Sequence, residues 1–425
     1  MRVPAAAPIW IIKRVLALAV LLATVLAVDG HVGSAAAGRT LYVAPTGGSA
    51  PACPRASPCG SFQTAYDRAR PGDTVEIAAG TYAAPQSLSG DKGSTTPVVV
   101  RAAAGQPVVV QGSLDIRSDY ADVRGPIQVT GGVDVENTEP SDPIVGVRIS
   151  GVSASSSYLQ NVRDLTFRNS NLTGVPGREI VMIGAFPTSY RVTFDNIAIH
   201  GNVPVDQDTH LECVFVTGIQ GFTVRNSQFS DCGYFDILIG LCCGAEQQPS
   251  ALVLENNHFG KSRCFAGSSG CPADGGAPFS LMLGTRITGS SRIVGNTFDT
   301  QPATQTGLSD TFESLDAFGN SGSTPRGWND RATRLTTAFA RTPDKALISG
   351  EVTPALPGSA VTVTLYKRVK GSLRKVLEKQ VALSASSRFS ASYPATGAGT
   401  CLVTVRFPGS SFMNASNARR LKFRC

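Results

Sequence analysis

The segment LTFRNSNL (residues 165–172) joins alternating apolar residues to an asparagine, and related segments recur four more times along the chain. They are VTFDNIAI (192–199), FTVRNSQF (222–229), LVLENNHF (252–259) and SRIVGNTF (291–298). One apolar column consists of Phe167, Phe194, Val224, Leu254 and Ile293, and the next column consists of Asn169, Asn196, Asn226, Asn256 and Gly295. Successive segments begin 27, 30, 30 and 39 residues apart. Internal repeats of this length are typical of solenoids.

Each repeat describes a short strand followed by a sharp bend. Apolar residues two positions apart share one face of a strand, and Asn or Gly tolerates the left-handed backbone that a bend needs. Such a unit cannot bury its apolar face alone, so we predict coils that stack with their strands ~4.8 Å apart. The alternative is an ordinary β-sandwich with coincidental spacing.

The segment FQTAYDRARPGDTVEIAAGTY (62–82) strengthens the solenoid interpretation. Phe62, Ala65, Tyr66 and Ala69 follow helical spacing, with Ser61 as a suitable N-cap. With the repeats, this segment resembles the entry of the pectate-lyase-like superfamily of right-handed parallel β-helices. The resemblance covers about residues 40–320. It implies an all-β fold in which residues 38–320 form a right-handed parallel β-helix with an N-terminal capping helix.

The N-terminal 37 residues are typical of a secretory signal peptide. Basic residues precede an apolar run over 15–28, and Ala35–Ala37 suits cleavage. That run is too short to span a membrane, and no second long apolar stretch follows. We therefore expect a secreted, extracellular protein that can associate with a cell wall, and no nucleic-acid partner.

The ten cysteines agree with export, because an even number in an exported chain indicates disulfide bonds. We predict a Cys53–Cys59 bond before the helix and a Cys401–Cys425 bond that closes a hairpin turning near Met413. Six central cysteines allow 15 pairings and stay unassigned, with a zinc cluster as the alternative to disulfides. These six are Cys213, Cys232, Cys242, Cys243, Cys264 and Cys271.

A change in composition and charge marks a second domain. Residues 321–334 form a Ser-, Gly- and Pro-rich linker, and residues 335–425 alternate like a small β-sandwich that resembles bacterial Ig-like modules. Residues 38–334 carry 21 Lys and Arg against 27 Asp and Glu, whereas residues 335–425 carry 14 against 3. We expect an anionic cell-wall polymer or acidic polysaccharide as partner of this basic module. The alternative is a merely soluble basic domain.

Ionisable residues concentrate before one apolar run, in the series Asp206, Asp208, His210 and Glu212. Three predicted strands open with an acid, at Glu179, Glu212 and Asp236, and Arg178 precedes the first. In a solenoid with matching register, these carboxylates would stack on one face. Close carboxylates bind Ca²⁺ or raise one another's pKa for acid–base catalysis. The candidate catalytic residues are Glu212, His210, Glu179, Asp236 and Arg178, and the candidate Ca²⁺ ligands are Asp206, Asp208 and Glu212.

Acids at strand starts are also common solvated residues, and the sequence lacks the W-I-D-H and G-H-G patterns of pectate lyases and polygalacturonases. Two functions therefore stay open. The protein is either a secreted polysaccharide lyase or glycoside hydrolase, or a non-catalytic binding protein with a rigid β-helix. Convergence of Glu179, Glu212 and Asp236 in a groove beside a basic residue would favour the enzyme.

Overall fold

The computed structural model describes the part of the chain that follows the predicted signal peptide, with gaps. The described residues are 38–104, 107–184, 188–202, 211–240, 247–264, 266, 271, 275, 279–304, 308, 315–325, 327–330, 332–342, 345–354, 359–394, 399–410 and 413–424. Residues 1–37 lie outside them, so the signal peptide stays a prediction. No helix of the described residues is long and apolar enough to cross a membrane.

The described residues fold into short strands and one helix, α1 (Phe62–Arg68). The N-terminal strands are β1 (Thr40–Gly48), β2 (Thr74–Ile77), β3 (Gly80–Tyr82), β4 (Gln86–Ser89), β5 (Val98–Ala102), β6 (Val108–Val110), β7 (Leu114–Arg117), β8 (Ala121–Val129), β9 (Val133–Glu136), β10 (Ile144–Val145), β11 (Arg148–Ala154), β12 (Ser157–Gln160), β13 (Val162–Arg163), β14 (Thr166–Thr173), β15 (Val181–Ile183), β16 (Tyr190–His200), β17 (Glu212–Thr217), β18 (Gln220–Arg225), β19 (Gln228–Ser230), β20 (Phe235–Gly240), β21 (Ser250–Glu255), β22 (His258–Phe259), β23 (Leu281–Leu283), β24 (Arg292–Val294), β25 (Thr297–Phe298), β26 (Ala303–Thr304), β27 (Asp316–Phe318) and β28 (Ser321–Gly322). The C-terminal strands are β29 (Arg334–Arg341), β30 (Lys345–Thr353), β31 (Ala360–Val369), β32 (Ser372–Ala382), β33 (Arg388–Pro394), β34 (Thr400–Phe407), β35 (Ser416–Asn417) and β36 (Leu421–Arg424).

Strands β1 to β28 form two parallel sheets, in which each strand pairs with its counterpart in the next coil. The nine-stranded sheet runs in the order β4, β7, β9, β12, β15, β17, β20, β23 and β26. The other strands form a long sheet, in which β8, β11, β14 and β16 continue through a bend and join two stacks. Chain order, with one strand per coil in each stack, gives a parallel β-helix, and the sandwich alternative for this part is wrong. The right-handed sense of the coil stays a prediction.

The predicted apolar column lies in the interior. Phe167 pairs with Phe194, then Val224, Leu254 and Ile293 follow in the same register. All five side chains are fully buried. A second column ends in three phenylalanines, in which Phe229 and Phe259 stack at 5.1 Å between ring centroids. Phe259 and Phe298 stack at 4.8 Å. The spacing of rings on successive coils therefore matches the spacing of parallel strands.

The predicted bends are also confirmed. The four asparagines of the repeat have φ between 49° and 56°, and Gly295 has φ 67°. Their side chains lie on the surface, where Asn196 Nδ2 donates to Asn169 Oδ1 at 2.9 Å and Asn256 Nδ2 to Asn226 Oδ1 at 2.9 Å. The column therefore supplies left-handed residues and links coils on the outside.

A second asparagine column, one residue later, lies inside the coil and escaped the sequence analysis. Asn257 Nδ2 and the Asn257 main-chain N–H both donate to Asn296 Oδ1 at 2.9 Å. Asn296 in turn donates to Asn320 Oδ1 from its main chain at 2.9 Å and its side chain at 3.1 Å. All three side chains are buried. They satisfy main-chain groups that the sharp bend removes from the strand ladder.

The helix forms where the sequence predicts it. Ser61 accepts a hydrogen bond from the Thr64 N–H as N-cap, and Phe62, Ala65 and Tyr66 are buried. The predicted Cys53–Cys59 disulfide is present before it. The role of α1 as an end cap of the coil stays a prediction.

The C-terminal strands form two antiparallel sheets that share one core. One sheet contains β29, β30 and β33, and the other contains β32, β31, β34, β35 and β36. Ile348 and Phe389 of the first sheet and Val363 and Val403 of the second belong to one buried cluster. The Ig-like topology stays a prediction. Strands β34 and β36 are antiparallel as expected and Cys401 is disulfide-bonded, but Cys425 lies outside the described residues.

The buried asparagine column predicts a test of the coil. Asn296→Ala removes the acceptor of two Asn257 donors and should lower the free energy of unfolding by about 3 kcal/mol, because buried donors stay unsatisfied. Asn256→Gly is the matched control, since Gly tolerates the positive φ of that exposed position, and it should cost less than about 1 kcal/mol. Urea unfolding of both variants measures the difference, and equal costs would contradict this role of the buried column.

Candidate functional site

The predicted acidic site lies only partly within the described residues. Asp206, Asp208 and His210 fall outside them, so the catalytic role of His210 and the Ca²⁺-binding roles of Asp206 and Asp208 stay predictions. Among the described residues, no three His, Cys, Asp or Glu side chains come together in a way that could hold a metal ion. Arg178 is exposed and Glu179 is half-buried, and both precede β15.

The strand register separates two members of the predicted acid column. Glu212 pairs with Phe235, and Val214 pairs with Ile237. Asp236 therefore lies one residue out of step with Glu212, and side chains one residue apart point to opposite faces of a strand. Both carboxylates are buried, at 3% and 0% exposure. The expectation that Glu212 and Asp236 share one surface is wrong, and their catalytic roles stay untested.

Glu212 begins a strand that is braced by a buried asparagine and a disulfide. Asn202 Nδ2 donates to the Glu212 carbonyl oxygen at 2.7 Å and to the Arg178 carbonyl oxygen at 3.3 Å. Asn202 Oδ1 accepts from the Gly233 N–H at 2.8 Å. The adjacent Cys213 is bonded to Cys232, and Cys264 is bonded to Cys271. These bonds confirm disulfides over zinc for four of the central cysteines, whereas Cys242 and Cys243 lie outside the described residues.

Asp236 is a buried carboxyl with a single hydrogen-bond partner among the described residues. Its Oδ1 accepts from the Ser262 hydroxyl, and its Oδ2 has no partner there. Burial raises the pKa of Asp236 well above its usual value, and the negative charge of Asp299 adds to this, whereas the Ser262 hydrogen bond opposes it. Because this carboxyl is fully buried, its raised pKa makes the stability of the fold depend on pH.

A set of ionisable groups that the sequence analysis missed lies on the outer face of the nine-stranded sheet. Asp115 pairs directly with Asp134, and Tyr158 donates its N–H to Asp134 Oδ1 at 3.0 Å. Two residues further along the same two strands, and on the same face, Arg117 and Glu136 form an ion pair at 3.1 Å. We call these five residues the acid–base column. The signal was the alternation in LDIR, VDVE and SYLQ, in which polar side chains follow every buried one.

The pKa of Asp134 is raised in this column. Desolvation is the main cause, the charges of Asp115 and Glu136 add to it, and the hydrogen bond from the Tyr158 N–H opposes it. Desolvation, with Glu136, also raises the pKa of Tyr158. A carboxyl group whose pKa is raised by burial and by neighbouring acids is characteristic of proton-transfer sites. Structural networks of charged residues produce such shifts too.

An open groove runs along the axis of the coil on the long sheet. Two adjoining hollows of about 630 and 400 Å³ share Gly151, Ser153 and Asn171 in their walls. The strand register aligns one side chain per coil along the groove. These residues are Gln128, Ser153, Asn171, Ala198 and Gln228. The groove therefore crosses at least five coils.

Small residues open the groove, and its walls are polar but uncharged. A Cβ atom on Gly125 would lie 1.7 Å from the Gly151 carbonyl oxygen, so only glycine allows the two strands to approach there. The register shifts by one residue at the same place, between Ser150 and Val152. Among the described residues, the walls contain amides, hydroxyls and aliphatic groups but no charged or aromatic side chain. Gln128 and Gln228 make no side-chain hydrogen bond within the described part of the chain.

No family model matches the sequence, and neither does any curated protein. Among solved structures, the chain is similar to a complex of XylC with xylose, with TM-score 0.38 and 8% identity over 84% of this chain and 100% of that one. It is also similar to pectate lyase Pel9A, with TM-score 0.32 and 14% identity over 69% and 78% of the two chains. A rhamnogalacturonan lyase gives TM-score 0.28 and 11% identity over 72% and 77%. At these scores the fold rests on the strand pairings alone.

The raised pKa of Asp236 predicts how stability changes with pH. A carboxyl with a raised folded pKa adds stability that is complete below its unfolded pKa and is lost as the pH rises through the folded pKa. Asp236→Asn should therefore be more stable than the wild type at about pH 8, and no more stable at about pH 4. Thermal melts of both proteins across this range measure the difference.

Ser262→Ala provides the matched comparison. This variant removes the hydrogen bond that opposes the pKa shift, so its stability should fall further than that of the wild type as the pH rises. A difference between Asp236→Asn and wild type that is the same at every pH would show that Asp236 does not titrate between the two states.

Proposed function

We propose that this protein binds a neutral extracellular polysaccharide along the groove of the long sheet. The observation that carries the proposal is a row of side chains in an open groove, one per coil, of which four are amides or a hydroxyl and Ala198 is the exception. Amides both donate and accept hydrogen bonds, which matches the hydroxyls of a sugar. A linear polymer lying along the axis would meet one such group every ~4.8 Å, except at the coil of Ala198. The separation of Glu212 from Asp236 favours this binding function over catalysis at the predicted acidic site.

The uncharged walls select among polysaccharides. An acidic polymer would desolvate its carboxylates in the groove without gaining a cation, which is costly. A neutral polymer exchanges hydrogen bonds with water for hydrogen bonds with Gln128, Asn171 and Gln228. We therefore expect neutral glycans to bind more tightly than polyuronates.

A double variant tests the groove. Gln128→Ala with Gln228→Ala should weaken binding to the preferred neutral glycan about tenfold, because two net hydrogen bonds of about 0.7 kcal/mol each are lost. Thr193→Ala with Thr223→Ala is the control, since these side chains lie on the same long sheet but outside the groove walls. The affinities of the wild type and both double variants are measured on a panel of neutral and acidic glycans. Equal effects of the two pairs, or a preference for polyuronates, would overturn the proposal.

A second candidate function is polysaccharide cleavage at the acid–base column. The specific observation is the pairing of Asp115 with Asp134 on adjacent strands, together with the raised pKa of Asp134. Neighbouring strands are ~4.8 Å apart, close to the ~5–5.5 Å between carboxyl groups of retaining glycoside hydrolases. In this candidate, protonated Asp134 gives its proton to the glycosidic oxygen while Asp115 attacks the anomeric carbon, so that the glycosidic C–O bond breaks and the leaving sugar departs as an alcohol. Water, deprotonated by Asp134, then hydrolyses the glycosyl ester on Asp115.

Product assays test this candidate separately. On the same glycan panel, the wild type should release reducing ends, and Asp134→Asn should reduce the rate at least about a hundredfold, the typical contribution of a general acid. Asp142→Asn, an exposed acid outside the column, should keep the wild-type rate. Absence of any product from the wild type would rule out catalysis and leave the binding proposal intact.

A further inference from the structure

The excess positive charge of the C-terminal domain is concentrated on one β-hairpin. Strands β31 and β32 pair antiparallel and are joined at Lys370 and Gly371, whose φ angles of 47° and 86° lie in the left-handed region. Strand β32 lies at the edge of its sheet. Its residues 372–380 are exposed throughout. We call residues 367–379 the basic hairpin.

Cations outnumber acids on the basic hairpin. Its basic residues are Lys367, Arg368, Lys370, Arg374, Lys375 and Lys379. The hairpin contains one acid, Glu378, which lies 3.6 Å from Lys375. The net charge of this short segment therefore accounts for much of the positive charge of the domain, and it favours an anionic partner.

The basic hairpin also exposes aliphatic side chains. The described residues leave six large hydrophobic side chains exposed, and four of them lie on this hairpin, each between 38% and 46% exposed. These four are Val369, Leu373, Val376 and Leu377. Arg368–Leu373 and Val369–Ser372 are successive pairs, so Leu373 and Val369 point to opposite faces. Both faces near the tip are therefore partly apolar.

The combination of cationic and exposed aliphatic side chains on the basic hairpin distinguishes among anionic partners. A dissolved polyanion would neutralise the cations and leave the aliphatic groups in water. A second copy of the hairpin would bring two cationic edges together, and like charges on paired strands are destabilising. An anionic bilayer satisfies both features, because its headgroups attract the cations and its acyl region accepts the aliphatic side chains.

We propose that the basic hairpin attaches the protein to the surface of an anionic lipid bilayer, with its tip inserted at the level of the headgroups. Lys and Arg side chains extend toward the phosphates while their methylene stems and the aliphatic residues occupy the less polar layer below. Anchoring by cations and apolar groups together is reversible, and it leaves the solenoid in solution.

Vesicle binding of the full chain, after removal of residues 1–37, tests the proposal. The vesicles are phosphatidylcholine alone and phosphatidylcholine with one-third phosphatidylglycerol. We expect at least tenfold tighter binding to the anionic vesicles. Leu373→Ser with Val376→Ser should weaken this binding at least fivefold, and Leu347→Ser, an equally exposed leucine on β30, should not change it.

Charge variants and an insertion probe complete the test. Arg374→Gln with Lys375→Gln should weaken binding to anionic vesicles more than Lys345→Gln with Arg406→Gln, which removes the same charge outside the hairpin. The tryptophan introduced by Leu373→Trp should fluoresce at shorter wavelength on anionic vesicles than in solution. This measurement detects insertion even where the affinity of the variant is unchanged. The proposal would be overturned in favour of a polyanion if the protein bound soluble polygalacturonate but not vesicles. In that case Leu373→Ser with Val376→Ser would leave the binding to polygalacturonate unchanged. Binding to neither ligand would also overturn it.

Discussion

Hydrogen bonding between successive coils fixes which residue lies above which, and the rest of the structure depends on this register. One column consists of Phe167, Phe194, Val224, Leu254 and Ile293, and their buried side chains stack from coil to coil in the interior. The same register stacks the rings of Phe229, Phe259 and Phe298. It also places the outer and inner asparagine columns one residue apart, where one serves the bend and the other satisfies buried main-chain groups. A strand that slipped by one residue would exchange these roles.

The sequence predicts the part of the fold in which residues that lie above one another also recur at fixed positions of a sequence repeat. The apolar and asparagine columns recur at fixed positions within each repeat, so the solenoid and its bends followed from the sequence. The positions of the predicted acid column did not follow from the sequence. Segments of different length connect Glu179, Glu212 and Asp236, so no sequence repeat shows which strand-start residues lie next to each other. An error of one residue was enough to turn Asp236 to the opposite face from Glu212. The inner asparagines were missed because Ser170, Ile197 and Ser227 occupy that position in earlier coils.

The two sheets divide the chemistry of the surface. The nine-stranded sheet holds Asp115, Asp134 and Glu136, and the desolvation of Asp134, followed by the charges of the other two, raises the pKa of Asp134. The groove of the long sheet holds neutral amides and hydroxyls. A glycan lying in that groove contacts no carboxyl group among the described wall residues, so binding there and proton transfer at Asp134 are separate events. This separation is the physical reason why the two candidate functions can be tested independently.

The position of the groove could not be read from periodicity, because it results from exceptions to the repeat. Gly151 and Ala198 leave volume in the groove walls, and Gly125 lets its strand approach the backbone of Gly151 in the next coil. Gly151 of β11, with a φ of 67°, also lies opposite the extra residue of β8 at the register shift between these two strands. A repeat records what successive coils share, namely the core and the bends, and a binding surface needs places where they differ. The regular columns therefore make the coil rigid, and the small residues on its outer face determine where a ligand can approach it.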